Sequence, residues 1–255
     1  MPFACTLDRM QRYASRTVHS LQPNKHYLSS RQALVDWLSG VGDSLNISNQ
    51  AVHHAVLVLD VFSSRVGKDF DIVLAALCSL LASAKFVQMK YPSADSLNSA
   101  TNNQYEFDDF IDMEGHILRV IDWQLLQYPV YDFVNLFLAH GCLFESDKIL
   151  QSDGRPDLRP TSSSATNLRK YAEFFTDFCI QETQLIKSEP LSLSSAIIAV
   201  TRKHMNLETV WTEEMFLLTT MKLAQFKDLF LYIDQRYTKN FPDSVASQIR
   251  VTGGR

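Results

Sequence analysis

The chain has 255 residues, of which 46% are hydrophobic and 20% charged, and its net charge is −4. That is enough apolar material for a sizeable core in one large or two ordinary domains; the slightly acidic balance lacks the basic field of a domain that lives on phosphate backbones, so nucleic acid is not an expected partner, and no run approaches the ~20 apolar residues of a membrane span. Cys5, Cys78, Cys142 and Cys179 lie far apart, which fits neither a disulfide framework nor a zinc site and points to a reducing, intracellular compartment, and the first residues, charged up to Arg16, lack the apolar core of a secretory leader.

In chain order, residues 1–27 read as a helical extension. Leu34, Val35, Trp37, Leu38 and Val41 then recur at helical spacing, and Ser48-Asn49-Gln50 can cap a second run through Ala51, Val52, Ala55, Val56, Leu59 and Phe62. The stretch DFDIVLAALCSLLASAKF, from Asp69 to Phe86, is apolar on nearly every side. It is longer than ordinary strands, and suits a helix buried all round at the centre of a domain. A polar loop from Tyr91 to Gln104 precedes an amphipathic helix marked by Phe107, Phe110, Ile111, Glu114, Ile117, Leu118 and Ile121. Tyr128-Pro129 ends it, and a last helix of this half runs through Phe133, Phe137 and Leu138. No segment alternates as a half-buried strand does, so the fold class expected is all-α.

From Ser146 to Ser164 the composition turns polar, with Gly154, Pro156, Pro160 and a Thr-Ser-Ser-Ser run, which places a linker at 146–164 between a first domain at 28–145 and a second at 165–240. The spans from Asn167 to Ile186, Leu191 to His204, Thr212 to Ala224 and Lys227 to Tyr237 supply four further helices, with Glu189-Pro190 separating the first two. Residues 241–255, polar and ending in Gly-Gly-Arg, read as a disordered tail.

Several of these segments resemble the cyclin box. SRQALVDW at Ser30 to Trp37 resembles its first helix, VLVLDVFSS at Val56 to Ser64 the end of its second, DIVLAALCSLLASAKF at Asp71 to Phe86 its buried third, and MEGHILRVIDWQLLQYPVYDF at Met113 to Phe133 its fourth helix and the Pro-led fifth. YAEFFTDFC from Tyr171 and LSLSSAIIAV from Leu191 resemble the second, more divergent cyclin fold, and within the family the whole chain is most similar to the cyclin J group. The resemblance implies two tandem cyclin-like five-helix domains with an N-terminal helix. It further implies a non-catalytic subunit that pairs as a heterodimer with a cyclin-dependent protein kinase, activates it and takes part in cell-cycle control from the nucleus or cytoplasm.

Residue by residue, Lys85 and Glu114 match the lysine and glutamate with which cyclins contact the kinase backbone beside its mobile helix. Lysine offers only donors and carboxylate only acceptors, so a pair at a rim can hold both polarities of an exposed segment. Phe86, Phe107 and Phe110 are the apolar anchors expected around it. Arg31 and Asp60 match a pair that ties the first two helices together inside the fold, Leu74 a core leucine, and Trp123 and Trp211 read as core aromatics. The family's substrate-docking groove is degenerate here. Leu34 and Trp37 remain, but Ser30, Ala33 and Gly40 stand where a methionine, an isoleucine and an acidic residue are usual, and Phe86-Val87-Gln88 replaces a hydrophobe followed by acids. No catalytic constellation, metal site or cofactor motif is visible; His53 and His54, adjacent on a helix, cannot both reach one metal. A scaffold or a transcription adaptor built on the same fold is the alternative.

Overall fold

The computed structural model describes residues 2–67, 69–150, 156–158 and 160–242. Eleven α-helices are present among them: α1 (Pro2–Ser20), α2 (Lys25–Ser44), α3 (Asn49–Arg65), α4 (Ile72–Val87), α5 (Ala94–Asn98), α6 (Phe107–Val120), α7 (Val130–His140), α8 (Ser162–Gln181), α9 (Pro190–His204), α10 (Glu213–Thr219) and α11 (Leu223–Asn240). None is long and apolar enough to cross a membrane.

Local chemistry sets several helix starts. The side chains of Asn24, Ser48 and Asp71 accept from the backbone N–H groups of Tyr27, Ala51 and Leu74, capping α2, α3 and α4. At α6 the Glu106 N–H donates to Asp109 at 2.8 Å, one half of a capping box. Gly42 in α2 allows a close approach to α3, since a Cβ there would lie 2.8 Å from Val52 Cγ2.

Contacts divide the chain into two compact units, residues 1–129 with 180–189 and residues 130–179 with 190 onward. In the first, α4 is the central element. Every side chain from Leu74 to Ala84 is buried, and α2, α3, α5 and α6 pack around it. In the second, α9 has the corresponding place, buried from Leu193 to Arg202 and packed against α7 and α11. Five helices, α2–α6, build the first unit behind α1, and five, α7–α11, build the second, so the expected outline of two five-helix domains and an N-terminal helix holds.

The division falls elsewhere than at 146–164. Val130–His140, read as the last helix of the first domain, packs on α9 and belongs to the second. The first unit's fifth helix is instead the five-residue α5, within the stretch taken for a loop. The polar segment lies inside the second unit, where β1 (Ile149–Leu150) pairs antiparallel with β2 (Pro156–Leu158); residues 151–155 and 159 of that expected linker lie outside the described residues. Of the expected tail, Phe241 packs against Tyr237 at 5.2 Å between ring centroids, and 243–255 lie outside the described residues.

Each unit is tied by one buried arginine–aspartate pair. In the first, Arg31 Nε and Nη2 donate to the two oxygens of Asp60 at 2.8 Å each. The Tyr27 hydroxyl donates to the same carboxylate at 2.8 Å, and Arg31 Nη1 to the Ile180 carbonyl at 2.7 Å. Burial, then the Asp60 charge, hold the Tyr27 phenol well above its ordinary pKa. In the second, Arg202 donates to Asp147 and to the carbonyls of Cys142, Thr209 and Val210, so all five guanidinium N–H groups have acceptors. Removing one partner leaves an uncompensated buried charge. Asp60→Ala should therefore lose about 3–5 kcal/mol of stability in urea denaturation; a loss below about 1 kcal/mol, the scale of an exposed pair, would contradict a structural role for Arg31 and Asp60.

Candidate functional site

Packing of α4 on α6 positions the two residues singled out from the sequence. Cys78 of α4 lies with its Sγ 3.6 Å from the Phe110 carbonyl of α6, and burial pushes its thiol up to about 12. Lys85 stands two turns beyond Cys78 and Glu114 one turn beyond Phe110, so the contact that seals the core delivers a cation and a carboxylate to one place. Lys85 Nζ donates to Glu114 Oε1 at 2.7 Å and to Oε2 at 2.8 Å. The side chains keep 39% and 21% of their accessibility. A pair this exposed contributes about 0–1 kcal/mol to folding, and both groups retain hydrogen-bonding capacity toward solvent: a third ammonium hydrogen and further carboxylate lone pairs.

Apolar side chains flank the pair. Phe86 is 48% exposed, Phe107 60% and Ile111 52%. Phe107, Ile111 and Glu114, at i, i+4 and i+7, share one stripe of α6; Met89 and Tyr91 extend the exposed apolar surface beyond the end of α4. Phe110 does not join it. It is 3% exposed and lies with Ile117 in the core. The sequence reading missed Ile111, Met89 and Tyr91 as surface groups, although the α6 stripe was there to be read once Glu114 fixed its phase.

Phe86 rests on His54 of α3, ring on ring at 5.4 Å. His54 is fully engaged: Nδ1 lies 2.8 Å from Ser83 Oγ and Nε2 2.7 Å from the Leu125 carbonyl. The carbonyl can only accept, so Nε2 carries the proton and Ser83 donates to Nδ1, a neutral ring joining α3, α4 and the segment after α6. Among the described residues no group of three His, Cys, Asp or Glu side chains could hold a metal ion.

On α2, Leu34 is buried and Trp37 half-buried against the core, while Ala33 and Gly40 are exposed and a Cβ at Gly40 would meet nothing within 4 Å. Leu74 lies in the core as expected. Trp211 is half-buried, donates from Nε1 to the Met221 carbonyl and packs on Phe226. Trp123 departs from the core assignment. It is 68% exposed, and its φ of 57° puts it in the left-handed turn that closes α6, so the backbone directs the ring outward.

The sequence profile described as the cyclin N-terminal domain matches residues 4–126. A cyclin-D of Ostreococcus tauri is 26% identical over 195 residues, 74% of this chain and 51% of that protein, so the chain spans about half its length. A viral cyclin from herpesvirus saimiri has a similar fold, with a TM-score of 0.66 at 14% identity over 88% of this chain and 90% of the other. A chain of the yeast RNA polymerase II CTD kinase complex CTDK-1 gives a TM-score of 0.61 at 13% identity over 92% and 73%.

Burial lowers the His54 pKa, with the Leu125 carbonyl opposing the shift. As pH falls through the ordinary histidine value of about 6.5, the unfolded chain takes up this proton before the folded one does. Stability is full above that value and is lost as pH falls toward the folded pKa. Thermal denaturation from pH 7.5 to 5.5 should show a falling midpoint that His54→Asn makes shallower; an equal slope in both proteins would remove His54 as its source. The matched N-terminal domain and the relative at 26% identity support the cyclin family, and the solved structures at 14% and 13% identity share the fold.

Proposed function

We propose that this chain is a regulatory subunit, without catalytic groups of its own, that binds a cyclin-dependent serine/threonine protein kinase as a heterodimer and holds it in its active state, contributing to cell-cycle control. The observation that carries the reading is the Lys85–Glu114 pair, partly exposed and flanked by Phe86 and Phe107. Two further facts support it: one solved structure of similar fold is that of a kinase complex, and the matched domain is that of cyclins.

A kinase is active when its β3 lysine pairs with the glutamate of its mobile helix. A partner that binds the inward helix better than the outward one shifts that equilibrium by the difference in affinity. The Lys85 ammonium and the Glu114 carboxylate are suited to hold the carbonyls and N–H groups of a backbone segment next to that helix, while Phe86, Phe107 and Ile111 supply apolar anchors in an interface of ordinary size, about 1,200–2,000 Å² or more. Phe110, being core, supports the rim from beneath. The reading includes a place in the cyclin J group and a site of action in the nucleus, the cytoplasm or both. It also includes an α2 groove that does not take Arg-x-Leu segments in the usual way, since Ala33 and Gly40 offer neither the apolar wall nor the carboxylate such segments need.

The test is a pull-down from cell extract with the wild type and with Lys85→Ala/Glu114→Ala, both shown to be folded by circular dichroism, followed by assay of the captured kinase on a generic substrate. The double variant should recover at least about tenfold less activity, the scale of losing an interfacial hot spot. Equal capture by both proteins would remove the named contact. Capture of no kinase by either would replace kinase activation with the scaffold or adaptor reading.

A further inference from the structure

The second unit carries a groove of about 410 Å³ between α8 and α11, lined by Asn167, Lys170, Tyr171, Phe174 and Tyr237. Residues 167, 170, 171 and 174 fall at i, i+3, i+4 and i+7, so one face of α8 supplies one wall. The groove is aromatic within. Phe174 meets Tyr237 edge to face at 5.8 Å, stacks beside Phe178 at 6.3 Å, and has the Phe241 ring at 5.7 Å. Tyr171 and Phe174 nevertheless remain 36% and 39% exposed, an apolar surface kept in contact with water.

The charge at this wall is of one sign. Among the described residues Lys170 is the only charged one of the lining, and neither it nor Asn167 has a side-chain hydrogen bond or ion pair there. The acid nearest along the helix, Glu173, is turned to Arg169 at 3.9 Å. An unneutralised ammonium and a free amide thus stand beside exposed aromatic rings. A basic ligand is repelled there, a purely apolar one leaves the ammonium unpaired, and a carboxylate next to an apolar side chain satisfies both features.

We propose that this groove docks a short peptide segment of a partner protein in which an acidic residue lies beside a bulky apolar one, the apolar side chain against Phe174 and Tyr237 and the carboxylate on Lys170, with the Asn167 amide as a second donor. This polarity is opposite to that of Arg-x-Leu segments, and the site lies in a different unit from the Lys85–Glu114 rim, so the inference does not depend on the kinase reading.

The test is selection of random short peptides from a displayed library on the full chain, followed by fluorescence anisotropy of the enriched peptides against wild type, Lys170→Glu and Tyr171→Ala. Both positions are exposed, so both variants should fold. Enriched sequences should hold Asp or Glu within one or two positions of Phe, Leu or Trp, and should lose about tenfold or more in affinity to Lys170→Glu, the equivalent of one charge-assisted hydrogen bond; replacing the peptide acid with lysine should restore part of that loss. No enrichment, enrichment without an acid, or equal binding to Lys170→Glu would overturn the proposal. Enrichment only on a variant ending at Pro242 would assign the groove to the chain's own residues 243–255, and self-association abolished by Lys170→Glu would assign it to a second copy; either result also overturns it.

Discussion

α4 has no solvent-facing stripe between Leu74 and Ala84, and the architecture of the first unit depends on that constraint. A helix apolar on every side must be surrounded, so α2, α3, α5 and α6 have to lie against it. Small residues, Ala75, Ala76, Ser79, Ala82 and Ser83, let those neighbours come close, and Leu77, Leu80 and Leu81 fill what remains. Only past Ala84 does the helix leave its sheath, and the first residues to emerge are Lys85 and Phe86. The candidate site is thus the place where the buried helix ends.

The same dependence explains why the site is defined on both sides. α6 is held to α4 by Phe110 and Ile117, and the stripe beside them leaves Glu114 half-buried at the edge of that contact and Phe107 and Ile111 exposed. His54 supports Phe86 from α3 while binding Ser83 and the chain beyond α6. The ion pair adds little stability where it stands, whereas the rigid frame beneath it fixes where its donors and acceptors point. The second unit repeats the plan with α9 inside and the Arg202–Asp147 pair as its buried tie, yet what it exposes is different: the aromatic rings of Tyr171 and Phe174 on α8 and an unpaired lysine.

How much of this was legible in the sequence varied with the kind of question. The all-apolar run to Phe86 announced a central helix because nothing else of that length hides every side chain. Lys85 and Glu114 were found through the resemblance, and the structure brings them into contact. Phe110 was misplaced because it stands beside Phe107 at i+3, where the buried stripe of α6 meets the exposed one, and spacing does not say where the cover ends. Val130–His140 was assigned to the wrong unit for a related reason: periodicity identifies a helix, but its partner, α9, lies some sixty residues away. The five residues of α5 are too few to show a period. Asp147, in a stretch that looked like linker, gave no sign that it answers Arg202, and Trp123 is turned out by a left-handed backbone that hydrophobicity does not encode.

The most direct test of the central claim, that the end of α4 and the outer stripe of α6 form the kinase contact, is amide hydrogen exchange across the whole chain, alone and bound to the kinase it captures. The account requires slower exchange at 85–91 and at 107–114 on binding. Unchanged exchange in both segments, with protection confined to 130–242, would contradict it.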